Sequence, residues 1–361
     1  MNLRIPGPTP LPPAVMAALQ KPMIDHRSAE FSALLRRCVA GLKMIAQTNG
    51  DVLLLSCSGT GGLESAVVNT LSPGDRVVAC VAGVFGVRFA EIARDFGAQV
   101  EPLVFEPGAP VEPERLGVAL KQFPDARAVL FTHNETSTGV LHRLREIAAV
   151  VRAQSDALLL VDAVSSFGAT EINMDAWGAD VVITGSQKAL MSPPGLAIIA
   201  AGERALRAAA NARMSRSYFA WRPYQQRLAE GFTPYTPALP VFFALDAALQ
   251  LIDSEGLANV YARHRRVAQF TRDGAQEIGF ALLADERDAS PTVTAIKVPA
   301  GVDGDEIRRR AREMGVTFGG GLGDLHGKLI RIGHMGFVHE PELNDALGVL
   351  REASAPALAH A

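Results

Sequence analysis

A chain of 361 residues, 48% apolar and 20% charged, is long enough for two domains and apolar enough to bury a core in each. Its 35 basic and 38 acidic residues leave a net charge of −3 with no basic block, so it lacks the electrostatic footprint of a nucleic-acid binder. No apolar run reaches membrane-spanning length, the N-terminus lacks the apolar core of a signal peptide, and Cys38, Cys57 and Cys80 show neither metal spacing nor a disulfide framework. A cytoplasmic protein with reduced thiols and no membrane partner is expected.

The segment Met1–Pro13 holds five prolines and reads as an extended arm, given bounds 1–15. From about Asp51 to Ala201, short apolar runs alternate with helical patterns. The predicted strands are Val52–Cys57, Arg76–Ala82, Val100–Phe105, Ala128–Thr132, Leu158–Asp162, Val181–Thr184 and Leu196–Ala201. Amphipathic stretches such as Leu63–Leu71, Phe85–Phe96, Pro113–Phe123 and Leu141–Gln154 lie between them. Near-continuous apolar strands separated by helices predict a seven-stranded, mostly parallel sheet covered on both faces, within a large domain over 16–256. After Pro240 come two long helical stretches, Val241–Asp253 and Glu255–Ile278. A strand (Thr292–Val298), a helix (Asp303–Met314), a glycine-rich run (Phe318–Gly323), a strand (Leu329–Ile332) and a final helix from about Glu340 follow. That order predicts a smaller C-terminal α+β domain over 257–361.

Ligands of open α/β sheets bind at the carboxyl ends of the strands, so polar residues just past those ends carry the functional signal. Ser58, Gly59, Thr60, Gly61 and Gly62 fall between a strand and a helix. Glycines let backbone amides approach an anion, hydroxyls add donors, and a helix N-terminus favours negative charge. The run is not a P-loop, which needs a Lys-Ser/Thr pair, nor a dinucleotide fingerprint, because Glu64 stands at the third glycine position. By itself it is equally a glycine-rich turn in which Ser58 or Thr60 caps the helix.

Asp162 ends the run LLLVD, where a carboxylate is expensive unless it meets a cation or strong donors. Lys188, one of six lysines, follows the strand before it within GSQKALMSPPG. A lysine in a desolvated pocket has a lowered pKa and an available neutral amine, and the rigid Pro193-Pro194-Gly195 exit argues against a mobile surface loop. An anion cradle, a buried carboxylate and a nucleophilic lysine at separate strand ends are the requirements of pyridoxal 5′-phosphate: phosphate in the cradle, carboxylate on the pyridine nitrogen, lysine on the aldehyde. Within that set Phe85 is a candidate to stack on the ring and Thr136 to meet its hydroxyl.

These blocks, in order, make the sequence resemble the class V aminotransferases of fold type I, the aspartate-aminotransferase-like fold, and within them the alanine–glyoxylate and serine–pyruvate group. The resemblance runs from PGPTP at Pro6–Pro10 through SGTG at Ser58–Gly61, HNETSTGV at His133–Val140, VDAVSS at Val161–Ser166 and GSQKAL at Gly185–Leu190 to RIGHMG at Arg331–Gly336. It implies that Lys188 is the Schiff-base lysine and Asp162 the partner of the ring nitrogen. Ser58, Gly59, Thr60 and Gln187 would hold the phosphate, with Val164 beside the cofactor. Arg331 would receive the substrate carboxylate, and Gly7 would lie near it.

The resemblance further implies a homodimer with shared sites, in which Tyr235 and Thr236 reach the phosphate of the other subunit. Two departures stand out: Phe85 replaces the tryptophan of several members, and Ala238 aligns better than Thr236 with their phosphate-binding threonine. The implied reaction is ping-pong transamination between alanine or serine and glyoxylate or pyruvate. Rival readings are a cysteine desulfurase or lyase on the same fold, or a catalytically silent subunit of a complex.

Overall fold

The computed structural model describes residues 1–358. Its larger sheet has seven strands in the spatial order Asp51–Leu55, Ala197–Ala201, Val181–Gly185, Leu158–Asp162, Ala128–Thr132, Arg76–Val81, Gln99–Val104. Ala197–Ala201 runs antiparallel to both neighbours, and the remaining pairings are parallel. Six of the seven strands, among them Ala128–Thr132 and Leu158–Asp162, bury nearly every residue, as strands covered on both faces must. One apolar layer, containing Phe31, Phe131 and Phe242, lies under one face, and a second, containing Leu55, Phe89 and Trp221, under the other.

The register sets the site. Thr132 pairs with Asp162 and Asp162 with Ile183, so Ala128–Thr132, Leu158–Asp162 and Val181–Gly185 end side by side. Their exit loops carry Asn134–Thr136, Asp162–Ser165 and Gln187–Lys188 to one edge.

Two helices, Leu239–Glu255 and Leu257–Ile278, meet at Gly256, whose φ of 82° suits the left-handed turn between them. Beyond them a second sheet forms in the order Asn2–Arg4, Val316–Gly320, Leu329–Gly333, Val293–Lys297, Ala281–Leu282. The glycine-rich run is therefore largely strand. Gly319 and Gly320 are small because Pro6 and Arg308 occupy the space their side chains would need. The N-terminal segment is extended, but its first residues join this second sheet, Asn2–Arg4 pairing in parallel with Val316–Phe318. From there Pro6 and Gly7 cross to the larger sheet's edge.

Candidate active site

A cavity of about 150 Å³ opens at the carboxyl edge of the larger sheet. Nine residues singled out from the sequence line it: Ser58, Gly59, Thr60, Phe85, Thr136, Asp162, Val164, Gln187 and Lys188. Leu63, Arg88, Asn134 and Ser165 line it too, and sequence reasoning passed over all four.

Ser58 opens the helix Gly59–Thr70, its hydroxyl accepting from Gly61 N–H at 3.4 Å. Capping and anion binding are compatible here, because the first-turn amides of Gly59 and Thr60 have no acceptor within the helix. Gly59 must be small: a Cβ would come within 2.8 Å of Val164 Cγ2. Ser58 and Thr60 are exposed, so the cradle faces the cavity mouth.

Asp162 lies deeper, 4% exposed. Its Oδ1 accepts from Val164 N–H at 2.9 Å, and it forms no ion pair among the described residues. Burial, with the nearby Glu135 charge adding, pushes its pKa up to about 7 despite the Val164 hydrogen bond and the positive charges of Lys188 and Arg88. A carboxylate in this state is completed by a cation or an N–H placed opposite it.

The Lys188 amine donates to the Pro6 carbonyl, and burial, reinforced by the positive charge of Arg331, lowers its pKa to about 8. Gly7 lies against the same side chain. With φ 95°, its Cβ position is 2.6 Å from Lys188 Cδ and Nζ, so both conformation and space demand glycine there.

Arg331 projects from the middle of Leu329–Gly333 and is 7% exposed. Nε donates to the Gly320 carbonyl at 2.7 Å and Nη1 to the Thr136 carbonyl at 3.0 Å, which fixes the guanidinium plane. Burial lowers its pKa to about 10, leaving it charged at neutral pH. Nη2 donates to no acceptor among the described residues, so one edge remains for a planar anion.

Arg88, one turn after Phe85, stands 4.9 Å from that ring's centre and pairs with no carboxylate among the described residues. Asn134 Nδ2 donates to Ser165 Oγ at 2.7 Å and Thr292 Oγ1 at 2.9 Å, tying cavity wall to second sheet. Gln187 leaves its buried Oε1 without a partner.

Tyr235 and Thr236 do not line this cavity. Both are exposed, and Tyr235 stacks on Tyr218 with ring centres 5.0 Å apart. The cysteines are also elsewhere: Cys38 and Cys80 are buried, and burial raises the thiols of Cys57 and Cys80 to about 11 and about 12. The nucleophilic thiolate of a desulfurase has no counterpart.

The sequence model described as aminotransferase class-V matches residues 1–323. The chain is 40% identical over 352 residues to the soluble hydrogenase small subunit of Synechococcus sp. (strain PCC 6716), covering 96% of this chain and 91% of that one. It is likewise 40% identical over 360 residues to the L-aspartate–glyoxylate aminotransferase of Paracoccus denitrificans, covering 97% and 89%. Among solved structures, the alanine–glyoxylate aminotransferase from Nostoc sp. matches with a TM-score of 0.94 and 31% identity, over 98% of this chain and 94% of that one. On these matches the chain belongs to the class-V aminotransferase family.

Proposed function

We propose that this protein is a pyridoxal 5′-phosphate-dependent aminotransferase. In this reading it moves the amino group of a small amino acid, alanine or serine, to a 2-oxo acid, glyoxylate or pyruvate. The observation that carries this is the placing of Lys188 and Asp162 in the lining of one cavity, the carboxylate buried and the amine half-buried, each pushed toward its neutral form by desolvation. The residues present fit the cofactor. Asp162 lacks a cation that a pyridinium N–H supplies, the amides of Gly59 and Thr60 have no acceptor within their helix, and Phe85 offers an aromatic face. When bound, pyridoxal phosphate supplies a ring that accepts the electron pair left at the substrate Cα.

The remaining work falls to the chain. Ser58, Gly59, Thr60 and Gln187 would hold the phosphate, Phe85 would stack on the ring with Val164 beside it, Thr136 would meet the ring hydroxyl, and Asp162 would keep the ring nitrogen protonated. Lys188 would carry the cofactor and, once released, shuttle the Cα proton through Nζ as base and then acid. The free edge of Arg331 would take the substrate carboxylate, with Gly7 closing over it. Both aminotransferases above carry glyoxylate in their names, with aspartate and alanine as the respective donors. That supports the acceptor more strongly than the donor.

The hydrogenase subunit's name favours a subunit role for that protein. In this chain the presence of Lys188, Asp162 and Arg331 together supports a catalytic role over a silent one. The exposed Tyr218–Tyr235 pair lies beside the cavity edge, Tyr218 Oη donating to the Ser56 carbonyl at 3.5 Å. It supports a homodimer in which Tyr235 and Thr236 serve the other copy's cradle. A cytoplasmic location is part of this reading; among the described residues no helix is long and apolar enough to cross a membrane.

The test is spectral and chemical. Purified protein should absorb in the violet, borohydride should fix the cofactor on Lys188, and alanine or serine with glyoxylate or pyruvate should exchange amino groups. Lys188→Ala should lose the fixed label and at least about a thousandfold in turnover. A colourless protein that takes up no added pyridoxal phosphate defeats the proposal.

A further inference from the structure

The helix Val84–Asp95, which carries Phe85 and Arg88, starts without a cap of its own. Gly83 precedes it, and its first turn has no acidic residue. The amides of Val84, Phe85 and Gly86 cannot find acceptors inside the helix. They find them some fifty positions later in the chain: Val84 N–H donates to Ser137 Oγ at 3.1 Å, while Phe85 and Gly86 N–H donate to Glu135 Oε2 at 3.0 and 3.2 Å. The other oxygen of Glu135 accepts from Ser137 N–H at 3.0 Å and from Ser137 Oγ at 2.5 Å.

Four donors thus converge on a carboxylate that is 0% exposed and forms no ion pair among the described residues. A buried carboxylate is costly unless satisfied in this way, and the positive end of the helix adds to its support. Gly83 is part of the arrangement. A Cβ there would stand 2.5 Å from Ser137 Oγ and 2.6 Å from Glu135 Cδ.

The loop that carries Glu135 turns directly into Thr136, whose carbonyl accepts from Arg331 Nη1. Glu135 therefore lies between two groups with separate tasks, the aromatic plate on one side and the guanidinium on the other. We infer that Glu135 is a positioning residue whose carboxylate locks Phe85 and Arg331 into one frame, so that the cofactor ring and the substrate carboxylate are held in a fixed relation. This role rests on the pyridoxal-phosphate reading above. An amide cannot replace the carboxylate, because three of the four contacts are backbone N–H groups. Only the Ser137 hydroxyl can turn round to accept, so a glutamine always sets its NH₂ against at least one backbone N–H.

Glu135→Gln and, separately, Gly83→Ala, which keeps the carboxylate but crowds it, should have the same consequences. In cofactor-free protein, hydrogen exchange at the Phe85 and Gly86 amides should quicken at least about tenfold. The dissociation constant for pyridoxal phosphate should rise by about tenfold or more, and KM for both amino and oxo acids should rise by more than kcat falls. Should either variant fold poorly, Ser137→Ala, which removes one hydroxyl without adding volume, should show the same pattern at smaller amplitude. A Glu135→Gln protein that melts lower yet binds the cofactor and both acids like the wild type has lost only stability, and the positioning role falls. Unchanged amide exchange overturns the cap itself. Wild-type protein that takes up no pyridoxal phosphate overturns the functional reading, and the positioning role with it, whereas uptake by wild type and variant alike overturns this inference alone.

Discussion

The proposed phosphate cradle lines the cavity, and Arg331, the proposed carboxylate binder, anchors the carbonyl of one wall residue, Thr136, yet the two are built in opposite ways. Ser58, Gly59 and Thr60 are consecutive, belong to one strand–turn–helix unit, and sit at the exposed mouth. Arg331 is buried in the second sheet and oriented by carbonyls of Gly320 and Thr136, on two different elements. A locally built site tolerates the loss of one donor, since neighbouring backbone amides remain. One assembled from distant parts concentrates its function in a single side chain. Substitutions should therefore be severe and specific at Arg331 and mild at Ser58, with Asp162 between them.

Of these three, the largest effect is expected at Arg331. Arg331→Ala removes the guanidinium that is anchored on the Thr136 carbonyl, and it leaves the cradle untouched. Steady-state kinetics should show KM for amino acid and oxo acid rising together by about a hundredfold, the scale of losing charge-assisted hydrogen bonds to a carboxylate. Cofactor affinity should change by no more than a few-fold. Arg331→Lys should recover part of the loss, because a point charge cannot reproduce a planar pair of donors. If KM is unchanged in the alanine variant, the substrate carboxylate binds elsewhere and the contrast with the cradle disappears.

Asp162 yields an intermediate effect, and one that reverses sign with the cofactor. In the cofactor-free protein its pKa stands near 7 instead of the usual 3.8. Between those values the folded chain holds a proton that the unfolded chain has released, so this group's contribution makes stability fall as pH rises from about 4 to about 7. Above that window the whole penalty of burying the anion is present. Cofactor-free Asp162→Asn should therefore melt higher than wild type at pH 8, by roughly 3 °C or more, and close to it at pH 4. With pyridoxal phosphate the order should invert, since the wild-type carboxylate gains its pyridinium partner and asparagine cannot. Melting curves at the two pH values, with and without cofactor, check both halves. Equal melting at pH 8 without cofactor would mean that Asp162 is not held against its charge.

This gradient from local to assembled also sets what could be read from the sequence. The seven strands, the cradle, Asp162 and Lys188 are legible because each lies on one apolar run or just past its end, where period and position carry the signal. Arg331 is different: its pattern is that of a strand residue with an exposed charge, and only family resemblance lifts it out. Asn134, Ser165 and Arg88 depend on which loops the register brings together, which no local pattern encodes. Val316–Gly320 was obscured by its glycines, whose purpose is to admit Pro6 and Arg308. The strand Asn2–Arg4 was hidden among prolines and has its partner more than 300 residues away. Glu135 left one readable trace: a helix start at Val84 with only glycine before it needs an acceptor from somewhere else in the chain.

The smallest effect should come from Ser58→Ala, and it tests the cradle's redundancy. The hydroxyl caps the helix Gly59–Thr70 through a long 3.4 Å contact with Gly61 N–H. Its loss should cost about 1 kcal/mol of stability or less, the ordinary scale for a helix cap. The amides of Gly59 and Thr60 remain in place, so the dissociation constant for pyridoxal phosphate should rise only by about tenfold, the low end for a hydrogen bond to a charged acceptor. KM values for both substrates should stay as in the wild type, because Arg331 and its carbonyl anchors are untouched. Equilibrium titration of cofactor-free protein, read alongside a melting curve, separates the two losses. If Ser58→Ala instead abolishes cofactor binding, a side chain rather than the backbone holds the anion, and the cradle is as indivisible as the arginine it was contrasted with.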